Sequence, residues 1–64
     1  MSDDTMKSAV AECVAKCRNS PAILVCVAEY VLRLLDEFKW PRKDAEAVGR
    51  QAISELQKIG KHPD

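Results

Sequence analysis

Residues 19–41, NSPAILVCVAEYVLRLLDEFKWP, decide how this chain folds. The segment is punctuated at both ends. Ser20 supplies an N-cap oxygen, and Pro21 suits a first helical position, where no N–H is needed. At the far end, Trp40 precedes Pro41, and a residue before proline is pushed out of the α region. The spacing predicts a helix over about 21–39. At roughly 100° per residue, Glu29, Arg33, Asp36 and Glu37 fall within one narrow wedge, and the other faces are apolar. A surface helix needs an apolar stripe only about 100° wide. This one is far wider, so helix 2 is expected to be central and covered by more than one neighbour. The run AILVCV is β-branched in part, but Pro21 and the helical spacing after it favour helix over strand.

The flanks read as two more helices. Ser2, Asp3, Asp4 and Thr5 offer capping oxygens and negative charge to a helix over about 4–18. Its apolar stripe is Met6, Val10, Cys13, Val14 and Cys17. Helix 3 is predicted over about 41–59, with Pro41 in its first turn and Asp44 facing its N-terminal amides. Ala45, Val48, Ala52, Leu56 and Ile59 form a heptad-like seam. Gly49 lies on the same face. A mid-helix glycine costs up to about 1 kcal/mol against alanine, which points to a close helix approach there. Gly60 closes the helix, and 61–64 is a polar tail. The expected fold is all-α: a single domain over 1–64, a helical hairpin plus a third helix, packed as a two-fold dimeric bundle.

The dimer follows from an imbalance. Helices 1 and 3 carry thin stripes of small residues, and helix 2 is apolar on most sides. Each large apolar side chain left wet forgoes about 1.5–3 kcal/mol. Several of these rival the roughly 5 kcal/mol that holds a small domain together. The expected interface is Leu24, Val27, Val31, Leu34, Leu35 and Phe38, with Tyr30, Arg33 and Trp40 as anchors at its edge.

Composition narrows the partners. Ten Lys and Arg cancel ten Asp and Glu, so the chain has no general attraction to phosphate or to anionic lipid. The acidic start and the short uncharged run from Asn19 to Ala28 resemble neither a secretory leader nor a membrane span. A cytoplasmic protein without nucleic-acid or membrane partners is the expectation. Nor is an enzyme expected: the sequence has no glycine-rich phosphate loop, and its one histidine, His62, sits in the tail.

All three cysteines fall between Cys13 and Cys26. Cys13, Cys17 and Cys26 are weak candidates for a soft-metal site for Zn or Cu, with His62 as a fourth group. They lack the paired tight spacing of a zinc knuckle, so no metal or other cofactor is expected. Cys13 and Cys17 read instead as core residues; a reducing compartment keeps thiols reduced, and an odd count argues against a closed set of bridges. The functional expectation is a small protein-binding adaptor, inhibitor or regulatory subunit. The alternative is a helix-turn-helix DNA-binding transcriptional regulator, with helix 3 presenting Arg50 and Gln51 to bases. Its link to helix 2 lacks the usual glycine turn, and Glu46 and Glu55 spoil the positive field.

Overall fold

Ser2 starts the first helix, its Oγ accepting the Thr5 backbone N–H at 3.3 Å. The computed structural model describes residues 2–60 as three helices, α1 (Asp3–Cys17), α2 (Ile23–Asp36) and α3 (Arg42–Gly60), with no strand among the described residues. The polar tail at 61–64, His62 included, lies outside the described residues.

The bounds of α1 and α3 differ from expectation by one residue, within ordinary helix-end ambiguity. Those of α2 differ for physical reasons. Ser20 does not cap α2. Its Oγ accepts the Ala22 N–H at 3.2 Å, while its own N–H returns to the Cys17 carbonyl at 3.0 Å. Ser20 to Ala22 are therefore spent on the turn, and α2 begins at Ile23 behind Ala22, which has no side-chain cap. At the other end, Lys39 adopts a left-handed backbone, φ 56°. This swings the chain back so that the Trp40 N–H meets the Leu34 carbonyl at 3.0 Å, and the helix stops at Asp36.

The central helix is α3, not α2. Both α1 and α2 pack mainly against α3 and less against each other. The cause is side-chain size. Ala45, Val48 and Ala52 on α3 are fully buried, and these short side chains let a helix approach from each side. Gly49 adds to this: a methyl group on its Cα would stand 2.8 Å from Val31 Cγ2. The close approach expected at this glycine is thus present, between α2 and α3.

The core forms two linked clusters. One joins Cys13, Cys17, Val27, Ala52 and Leu56. The other joins Ala9, Leu34, Ala45 and Val48. On α1 the buried line is Ala9, Cys13 and Cys17, at four-residue steps, with Met6, Val10 and Val14 half-buried on its flank. The expected stripe is therefore rotated toward its smallest members, because those fit against α3. The α3 seam is buried through Leu56, but Ile59 is exposed.

Cys17 and Cys26 are joined by a disulfide, with their Cα atoms 5.7 Å apart. The expectation that a reducing compartment keeps the thiols reduced does not hold for this pair, while the odd count leaves one cysteine outside any bridge. The turn brings the last residue of α1 beside the first turn of α2, within the ordinary span for a bridge. Only Cys13 is free, and it is buried.

Candidate functional site

The most exposed apolar surface lies on α2. Leu24 is 66% exposed, Val25 56% and Leu32 61%, and Phe38, just past the helix end, is 60% exposed. Leu24, Ala28 and Leu32 follow one another at four-residue steps, so they stand on one line of the helix, and all three are exposed. The surface exists because α3, rather than α2, occupies the middle of the fold. One side of α2 faces α3 and part of it meets α1, and among the described residues nothing covers the line of Leu24, Ala28 and Leu32.

Beside this line runs an open groove of about 490 Å³ between α2 and α3. Its apolar walls include Leu24, Val31, Leu32 and Ile53, and Gly49 lies at its base. Glu46 and Arg50 border it from α3 and bring both signs of charge. A second groove, of about 600 Å³, lies between α1 and α3. Met6, Val10 and Val14 line it, with Asp3, Lys7, Arg18, Gln51 and Glu55 as its polar members.

The expected interface residues divide into two sets. Leu24 and Phe38 are exposed, and Val31 and Leu35 are half-buried at the edge of the core. Val27 and Leu34 are corrected out of the interface: they are 2% and 3% exposed and fill the chain's own core against α1 and α3. Val25 and Leu32 take their place on the open side. Periodicity marked both as apolar, but it could not show which apolar side α3 would cover.

The three expected anchors also divide. Trp40 is half-buried and packs on the cluster of Ala9, Leu34, Ala45 and Val48, closing the corner between α2 and α3. Tyr30 packs against both clusters, and its hydroxyl donates to Glu12 Oε1 at 2.6 Å. Burial pushes the Tyr30 phenol well above its ordinary value, and the bonded Glu12 carboxylate adds to that. Arg33 remains at the surface and pairs with Glu37 at 3.4 Å. Of the three, Arg33 alone is exposed.

The thiols do not assemble a metal site. Cys17 and Cys26 are bonded to each other, and among the described residues no three of His, Cys, Asp and Glu gather where an ion could sit. Burial, and then the adjacent Glu12 carboxylate, push the Cys13 thiol above its ordinary value, which disfavours the thiolate a metal or an electrophile would need. On the outer side of α3, Arg42 donates to Glu46 at 2.9 Å, so part of its positive charge is answered locally. No described helix is long and apolar enough to cross a membrane.

Compared with known proteins, the chain matches no family model, no curated protein and no solved structure.

Proposed function

We propose that this chain is a small protein-binding domain, of the adaptor, inhibitor or regulatory-subunit kind, and that it pairs with a second copy of itself through the open side of α2. The observation that carries this reading is the exposure of Leu24, Val25, Leu32 and Phe38, each more than half open to water. Covering them gains about 1–2 kcal/mol apiece, as a share of the roughly 1.5–3 kcal/mol for a fully buried side chain.

A second copy is the favoured occupant for three reasons. A two-fold interface counts the same patch twice, giving about 8–16 kcal/mol from these side chains, against an association cost of about 4–15 kcal/mol. The net charge of zero leaves little repulsion between copies. Glu46 and Arg50 offer both signs at the groove, so a rotated copy of the same surface can meet opposite charge. The domain would act by occupying a partner's surface with a helical face; no catalytic role is assigned to it.

Two surface substitutions test the reading. Leu32→Glu places a carboxylate on the open apolar line, and Glu29→Lys changes the charged wedge of the same helix. Light scattering should give the wild type and Glu29→Lys a mass of twice 7.1 kDa, and Leu32→Glu the single-chain mass with its helical circular dichroism intact. Wild-type behaviour of Leu32→Glu would remove the α2 interface.

A further inference from the structure

We propose that the Cys17–Cys26 disulfide is a redox clasp that keeps the first turn of α2, and with it one end of the docking surface, in order. The inference rests on the reading of α2 as a docking helix, but its structural basis is separate. Helix α2 starts without the usual supports: Ala22 precedes it with no side-chain cap, and its first turn contains no acidic residue. Between them, α1 and α2 share less packing than either shares with α3. Ile23 and Val27 pack this end of α2 on the core, and the covalent tie of its first turn to the end of α1 is the bond from Cys26 to Cys17. Leu24 and Val25, two of the most exposed apolar residues, belong to that same turn.

The bond can be opened from one side. Cys17 is fully buried, whereas Cys26 is only half-buried. A thiolate of an external dithiol attacks the Cys26 sulfur, forming a mixed disulfide, and Cys17 leaves as a thiolate that takes up a proton. The second thiol of the reductant then attacks its own sulfur in the mixed disulfide and releases Cys26 as a thiol. In sum, two electrons and two protons pass from the dithiol to the protein, and the reductant closes to its cyclic disulfide. Glutathione disulfide drives the reverse reaction, becoming two glutathione thiols. Disulfides in reducing compartments are characteristically transient or redox-sensing, and a bond placed at an uncapped helix start has the means to act that way. Cys13 takes no part: it is free and buried one helical turn before Cys17.

The full chain is compared oxidised and after treatment with dithiothreitol, reading Cα chemical shifts and the self-association constant together. On reduction, the helical shifts of Leu24 and Val25 should collapse toward coil values while those of Val48 to Leu56 stay helical, and the dissociation constant should rise at least tenfold. Glutathione disulfide should restore both, and Cys13→Ala should respond as the wild type does. Helical shifts at Leu24 and Val25 that survive reduction would overturn the clasp. So would a uniform loss that includes α3, since the bond would then hold the whole fold. A chain that is monomeric in both states while these two shifts collapse would support the clasp and overturn the docking reading.

Discussion

A methyl group built on Gly49 would stand 2.8 Å from Val31 Cγ2, closer than real carbon contacts come. Val31 cannot easily yield, because its β-branched side chain has one strongly preferred rotamer in a helix. Gly49→Ala should therefore destabilise the fold even though alanine is the better helix former. Overpacking costs about 1–3 kcal/mol, and the propensity gain returns up to about 1 kcal/mol. We expect a net loss of up to about 2 kcal/mol in urea unfolding of Gly49→Ala. In a Val31→Ala background the same substitution should be neutral or stabilising. A Gly49→Ala protein at least as stable as the wild type would mean that α2 and α3 lie further apart.

Lys39 offers the opposite case. A lysine at φ 56° bears the steric cost of the left-handed region, about 1–2 kcal/mol, which glycine does not. Lys39→Gly should raise the unfolding free energy by up to about 1 kcal/mol, after the entropy that glycine loses on folding. Lys39→Val should lower it, since a β-branched residue fits this region worst. Equal stability of all three would show that the corner between α2 and α3 is built differently.

Tyr30 is the only tyrosine, so phenolate absorbance reports it alone. Burial, followed by its bond to Glu12, raises its folded pKa above the ordinary value of 10.0. The sign follows from proton binding. Between the unfolded and folded values the native chain holds a proton that the unfolded chain has lost. The stability this contributes is thus fully present below the unfolded value and disappears as pH rises through the folded one. The native protein should delay phenolate formation past that of the urea-unfolded chain. Glu12→Gln should shorten the delay without abolishing it, because burial is the larger cause. Identical native and unfolded titrations would contradict the Tyr30–Glu12 contact.

The thiols can be counted directly. Cys13 is fully buried, and Cys17 and Cys26 are bonded to each other. Alkylation of the native protein should label no cysteine. Unfolding without reductant should expose one thiol, and unfolding with reductant all three. Labelling of three thiols in the unreduced, unfolded chain would show that the bridge is absent.

Much of this fold is legible in the residues. The helix at 3–17 follows from Ser2 and the acids behind it, and the α3 seam from Ala45, Val48, Ala52 and Leu56. The role of Gly49 follows from the cost of a glycine inside a helix. What periodicity misses is relative rotation. It ranks helices by how apolar they are, which favours α2 for the centre. Three-dimensional packing ranks them by how closely neighbours can approach, and the short side chains of α3 win. The same limit hides the disulfide. Cys26 lies beside the charged wedge of α2, and only the angle of the turn at Ser20 to Ala22 sets it against Cys17. The Lys39 corner was unreadable for another reason: nothing in a lysine announces a left-handed backbone.

The apolar side of α2 has no cover among the described residues, and a second copy is proposed to supply it. Sedimentation equilibrium of the oxidised protein over a hundredfold dilution tests this most directly. The mass should fall from twice 7.1 kDa toward 7.1 kDa as the concentration drops, with the loss set by one dissociation constant. A single-chain mass at every concentration would contradict it and leave Leu24, Val25, Leu32 and Phe38 facing water.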